Sequence, residues 1–237
     1  MSSPGRTRRI LASVAVLTLA AALCGCADVS DDSGPSGSGN GSADPSGSAP
    51  HPAAVAPSGA SGGWTLTVYY TAVEKYHTGK ATAVTGCPTI NCSRGRADLG
   101  TYPEDFVTAV HDEGTGRTNA GSYLNWSSDT GYWLDSAPRD SASRPLRPFE
   151  SAAADATVLP DGARFTVLEC GHDSDRAPID PAVCAKLRSS RWMVTDEFTP
   201  GLGGPHHIDL YLGEETGPGF TDGPWYTTGV DARLQFG

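Results

Sequence analysis

Basic residues are scarce in this chain of 237: 17 Lys and Arg stand against 27 Asp and Glu, a formal net charge of −10. A phosphate backbone is held by a basic face, so nucleic acid is excluded as a partner class. Long apolar runs are missing as well. The longest weakly polar run, Ile10 to Leu23, has 14 residues, short of the roughly 20 that cross about 30 Å of hydrocarbon as a helix. The sequence holds no P-loop and no G-x-G-x-x-G, the patterns that cradle nucleotide phosphates. Between Trp64 and Gly237 there is no G-x-S-x-G, which removes the nucleophile elbow of a Ser-His-Asp hydrolase from that segment. None of the six cysteines forms a C-x-x-C pair, so thioredoxin-like redox chemistry and the usual zinc spacings drop out too.

What is present begins with an export signal. Arg6, Arg8 and Arg9 precede the 14-residue run, which has the length of a signal-peptide core. Leu23-Cys24-Gly25-Cys26 follows it and resembles the bacterial lipobox, which implies cleavage after residue 25 and a lipid on Cys26. A plain secretory cut near Gly25 is the alternative. Thr7-Arg8-Arg9-Ile10-Leu11 also resembles a twin-arginine signal, leaving the general secretory and twin-arginine routes both open. From Ala27 to Gly63 the 37 residues include 9 Ser, 8 Gly, 7 Ala and 5 Pro. They have too little apolar surface to offset the entropy of ordering. Residues 26–63 are expected to be a flexible tether behind the lipid, spanning on the order of 35 Å.

The folded domain is expected over 64–237, a length that buries a proper core. Cys87, Cys92, Cys170 and Cys184 fall in two sequence-local pairs, and an exported chain meets an oxidising compartment. Four cysteines allow three connectivities; pairing 87–92 and 170–184 clips one loop each and is favoured. Runs of β-branched and aromatic residues at 64–73, 122–126, 164–168, 192–195, 207–212 and the last dozen positions predict strands. Two short helices are predicted. One opens on the capping box Thr101-x-x-Glu104, the other on Asp180-Pro181 as N-cap and first helical residue. Short strands with few helices point to a mainly β fold, a closed barrel.

Carboxylates and histidines are the chemistry that remains. In His207-Ile208-Asp209-Leu210-Tyr211 the two-residue alternation of a strand puts His207, Asp209 and Tyr211 on one face. Asp196, at the end of the preceding strand and before a glycine-rich loop, would bring a second carboxylate across a groove. Crowded, shielded carboxylates raise one another's pKa, which keeps one protonated for general-acid work. Structural roles compete with this: Asp196 as a turn cap, Asp209 as an acceptor for loop amides. His206, His207 and Asp209 as a zinc site lack a further ligand at a recognised spacing. His77, His111 and His172 are expected to be surface or loop histidines. Trp126, Tyr132 and Trp133 lie within eight residues and serve equally as core or as a sugar-stacking wall.

The terminal segment resembles the three-aspartate domain, the double-psi β-barrel shared by the membrane-bound murein lytic transglycosylase A family. That family carries D-T-G-G-A-I-x-G followed by a strand of the H-F-D-I-Y or R-I-D-L-Y type. Here His207–Tyr211 is similar to the strand, and Asp196-Glu197-Phe198-Thr199-Pro200-Gly201-Leu202-Gly203-Gly204 stands in place of the glycine-rich half. The stretch Ser151 to Phe165, with Asp155-Ala156-Thr157-Val158-Leu159-Pro160 at its centre, resembles the family's A-V-D-P-x-x-I-P-L-G-T-x-V. Val68-Tyr69-Tyr70-Thr71-Ala72 is similar to its opening T-A-Y strand. Residues 74–148 have no counterpart in that pattern.

The resemblance implies a six-stranded double-psi barrel with short peripheral helices, and three aspartates at 155, 196 and 209. It also implies cleavage of β-1,4 linkages in peptidoglycan without a cofactor or metal. Asp209 would be general acid and then base, tuned by Asp196, with His207, Tyr211 and Glu197 in support and Asp155 holding a loop. If water attacks instead, Asp196 or Glu197 becomes the base and the chain is a hydrolase. A non-catalytic, expansin-like polysaccharide-binding or wall-loosening module is the alternative from another class. Either way the expected partner is cell-wall polysaccharide. The chain is expected to be a monomer held at the outer face of the cytoplasmic membrane through the lipid on Cys26 alone.

Overall fold

The structure is a computed structural model that describes residues 54–199 and 202–237. The signal segment, the Cys26 lipidation site and the tether up to residue 53 lie outside the described residues. In chain order the elements are β1 (Gly59–Val73), β2 (Ala81–Gly86), β3 (Ala97–Pro103), α1 (Glu104–Glu113), β4 (Thr115–Arg117), β5 (Tyr123–Ser127), β6 (Gly131–Asp135), β7 (Ser151–Ala154), β8 (Arg164–Glu169), α2 (Pro181–Ser189), β9 (Trp192–Glu197), β10 (His207–Glu214) and β11 (Gly229–Phe236).

Six strands close a barrel in the order β1, β10, β7, β9, β8, β11, with β11 returning to β1. The β1–β10 and β7–β9 pairs are parallel; the other four are antiparallel. Alternation fills the interior: Leu66 and Val68, Ala152 and Ala154, Phe165 and Val167, Trp192 and Val194, Ile208 and Leu210, Leu234 and Phe236 form one apolar cluster. The barrel's outer face is then free for the intervening residues. The fold is mainly β with two helices, as expected, and both favoured disulfides are present, Cys87–Cys92 and Cys170–Cys184.

The barrel takes in five residues assigned above to the tether, because β1 starts at Gly59 rather than Trp64. Gly59, Ala60 and Ser61 pair with Phe236, Gln235 and Leu234. Backbone ladder bonds hold them, so their composition carries no strand signal. The Thr101 capping box does not form either. β3 runs on to Pro103, which pairs with Ala81, and α1 begins at Glu104 without a side-chain cap. Strand pairing takes Thr101 before the helix can use it. The second helix starts as expected, with the Asp180 carboxylate accepting from Ala182 N (2.8 Å) and Val183 N (3.1 Å).

Residues 74–148 build a second layer. The end of β1 continues past the barrel to pair with β4, which leads into the β4–β5–β6 meander. A hairpin of β2 and β3 lies beside it. Leu99, Phe106, Val110 and Leu124 close a second core there, with Tyr70 and Ala72 of β1.

Candidate active site

A single register row on the barrel's outer face sets the site. Thr67 of β1 pairs with Asp209 of β10, Asp209 with Ala153 of β7, and Ala153 with Asp196 of β9. Residues opposite one another in a sheet share a face, so the two carboxyls flank the methyl of Ala153. Two strand spacings put their Cα atoms about 10 Å apart, with only the small side chain of Ala153 between them. Asp196 is on this row because the β7–β9 register shifts: Ala152 pairs with Val194, but Ala153 pairs with Asp196 rather than Thr195. A one-residue bulge re-aims a side chain in this way.

The second layer stands over this row and turns it into a groove of about 610 Å³, within the range of ligand clefts. The C-terminal end of α1, the β5–β6 turn and the loop 139–146 supply the far wall. Asp209 is half-buried on the floor. Burial pushes its carboxyl up to about 7, the Asp196 charge adds to this, and the Thr67 hydroxyl opposes it. Its Oδ1 has no hydrogen-bond partner among the described residues. Asp196 is better supplied: Oδ1 accepts from Ser141 N (2.8 Å) and Glu197 N (2.9 Å), and Oδ2 from the Tyr69 hydroxyl (3.2 Å). Burial still lifts it to about 6, against those backbone donors. The carboxyl with three donors is the stronger acid, and the one with the unpartnered oxygen keeps its proton longer.

His207 lies within 2.8 Å of the Thr67 hydroxyl and packs on Phe198, with ring centroids 4.5 Å apart. Burial lowers its pKa, favouring the neutral ring. His206 faces away and stacks on Trp64 at 5.0 Å, so the adjacent imidazoles diverge. Among the described residues no group of three or more His, Cys, Asp or Glu is placed to hold a metal ion. Tyr211 lies beneath the groove, 1% exposed, with its hydroxyl 2.5 Å from that of Thr71. It packs against Tyr69 instead of offering a platform. Glu197 is exposed on the rim. Asp155 lies off the groove; its Oδ1 caps a turn by accepting from Thr157 N (2.9 Å) and Oγ1 (2.6 Å).

Of the three aromatics, Trp126 is half-buried on the wall, its ring 4.1 Å from that of His111. Trp133 is buried at the wall's base. Tyr132 packs into the second core and donates to Val107 O. His77, expected to be a surface or loop histidine, lies in a loop but is enclosed. Its Nε2 meets buried Glu215 at 2.8 Å and its Nδ1 lies 3.5 Å from Asp105, joining the second layer to the chain after β10. The hydrogen bond to Glu215 raises its pKa. A G-x-S-x-G pattern does occur at Gly59–Gly63, but it runs inside β1, where Ser61 accepts from the Trp64 indole.

Several groove residues escaped the sequence reading. Tyr69 and Thr67 bond to or shield the aspartates, and Glu113 and Tyr226 line the opposite side. Glu113 left one signal. A carboxylate in the last turn opposes the helix dipole, so something other than helix stability places it there. Arg144 fastens the loop over Asp196: it pairs with Asp140 (2.8 Å) and, bidentately, with Asp161 (2.7 and 2.9 Å), and donates to Thr195 O.

No protein-family model matches the sequence, and no curated protein matches it. Among solved structures the chain is similar to E. coli MltA with bound chitohexaose, at 12% identity over 73% of this chain and 71% of that one, TM-score 0.47. It is similar to a membrane-bound lytic murein transglycosylase from Agrobacterium tumefaciens at 12% identity over 72% and 73%, TM-score 0.45. The lytic transglycosylase LtgG of Burkholderia pseudomallei overlaps it at 12% identity over 73% and 70%, TM-score 0.38.

Proposed function

We propose that this chain cleaves β-1,4-linked cell-wall glycan, with peptidoglycan as substrate and Asp209 as a single acid/base group. The observation that carries this reading is the Asp209 carboxyl on the groove floor. It lies beside a second carboxylate, has one oxygen unpartnered, and holds its proton to about pH 7. An acid tuned close to ambient pH transfers protons most effectively.

The protonated Asp209 donates to the glycosidic oxygen. The bond from C1 to that oxygen breaks, its electron pair leaves with the departing sugar, and C1 becomes oxocarbenium-like. Ionised Asp196 stabilises that positive charge across Ala153. The sugar's own 6-hydroxyl then attacks C1, and Asp209, now a carboxylate, takes the hydroxyl proton. A 1,6-anhydro ring closes, no water is consumed, and Asp209 returns to its starting state. Trp126 supplies a face for a sugar ring. A lipid on Cys26 and the tether behind it would hold the groove close to the innermost wall layers.

The test is incubation of the full chain with purified peptidoglycan, followed by mass spectrometry of the soluble products. Anhydro-muropeptides are expected. Reducing-end products would move the reading to a hydrolase with Asp196 or Glu197 as base. No release, with the protein bound to the wall, would make it a polysaccharide-binding module.

A further inference from the structure

Glu113 is a groove carboxyl with no part in the proposed cleavage. It is the last residue of α1, which Gly114 ends in a left-handed conformation (φ 83°) with its N–H bonded to Val110 O. That stop aims the Glu113 side chain at β1, where the β1–β10 register slips between Tyr69 and Thr71. The slip frees the Tyr70 N–H from the ladder, and Glu113 Oε2 accepts it at 3.2 Å. Oε1 accepts from the Tyr226 hydroxyl at 3.0 Å. Glu113, Tyr226 and Asp209 all line the groove.

We propose that Glu113 is a positioning residue for the groove's acid: its carboxyl and that of Asp209 hold their protons jointly, with Tyr226 as the donor that steadies Glu113. Buried neighbouring carboxyls lose protons in steps that belong to the pair. Burial and then the Asp209 charge push Glu113 up to about 8, against the Tyr226 and Tyr70 donors. The titratable groups facing the pair are Asp112 and His111 from α1, Tyr69 and Tyr70 from β1, Asp129 from the β5–β6 turn, Asp140 from the loop 139–146, Asp196 and Glu197 from β9, His207 from β10, and Tyr226. None is a lysine or arginine. The Arg139 guanidinium on the far wall is engaged by Asp135 at 2.6 Å. With no fixed cation to neutralise it, the pair carries one negative charge before it carries two. A neutral Glu113 then leaves Asp209 free to become a carboxylate once it has given its proton to the leaving group.

The proposal rests on the glycan-cleaving reading for its purpose but not for its test. Side-chain carboxyl carbons are followed by NMR from pH 4 to 10 in the wild-type full chain, Asp209→Asn, Glu113→Gln and Tyr226→Phe. Asp209→Asn is expected to lower the Glu113 midpoint by at least about 0.5 pH unit, as loss of a like-charged neighbour demands, and Tyr226→Phe to raise it. Glu113→Gln keeps an acceptor for Tyr70 N–H and should remove from the Asp209 titration the step shared with Glu113, leaving only its coupling to Asp196. In turnover, its alkaline limb should fall at lower pH than that of the wild type. A Glu113 midpoint unmoved in Asp209→Asn overturns the proposal, and that variant serves even if Glu113→Gln fails to fold. Coupled titrations without glycan turnover by any protein would instead sink the cleavage reading and leave the pairing intact.

Discussion

Replacing Asp209 by Asn should make the protein more stable at pH 8 and leave its stability unchanged at pH 4. The carboxyl titrates near 3.9 in an unfolded chain and at about 7 in the groove. Between those values the folded state binds more protons than the unfolded one, so stability falls as pH rises from about 4 to about 7. A shift of about 3 units at 1.36 kcal/mol each corresponds to about 4 kcal/mol. This is an upper bound, because Asp196 ionises in the same window and shares the repulsion. The amide cannot ionise, so the variant loses that dependence while filling the same space beside Thr67. Urea unfolding of both proteins at pH 4, 6 and 8 measures it, expecting a difference near zero at pH 4 that grows through pH 7. Parallel curves for the two proteins across that range would mean that Asp209 is an ordinary solvated carboxylate. The reasoning about the groove would then fail. A residue that destabilises its own fold at working pH fits a functional site, where stability is commonly given up for activity.

Arg144→Met should destabilise by about 3 kcal/mol, the cost of leaving a buried charge without its partner, because the Asp140 side chain is fully buried against that guanidinium; thermal unfolding checks it. Replacing both Cys170 and Cys184 by Ala, which opens a loop with a sequence separation of 14, should cost about 3 kcal/mol in denaturant unfolding. Tyr69→Phe removes the hydroxyl that donates to Asp196 Oδ2. The Asp196 carboxylate loses a donor, its pKa rises, and the acid limb of glycan turnover should move to higher pH with little change in the alkaline limb.

The barrel was legible where side chains alternate. All six runs of β-branched and aromatic residues are strands, five of them in the barrel and β5 in the second layer. β7, Ser151–Ala154, gave no such signal: it is buried on both sides and packed with small residues between β10 and β9. Asp209 was legible because Ile208 and Leu210 fix which way it points. The geometry of Asp196 was not, because it depends on a bulge that a linear pattern does not record. Glu113 and Tyr226 lie 113 residues apart in sequence and meet only in the folded chain. Residues 74–148 have no counterpart in the three-aspartate pattern, yet they build the wall that makes a cleft of an otherwise exposed barrel face.

The most direct test of Asp209 as the acid compares wild type and Asp209→Asn on the same purified peptidoglycan, measuring wall binding and product release side by side. The expected result is unchanged binding with release reduced by about 10²–10⁴-fold, the usual contribution of a positioned acid/base group. Release by Asp209→Asn within about tenfold of wild type would contradict the account.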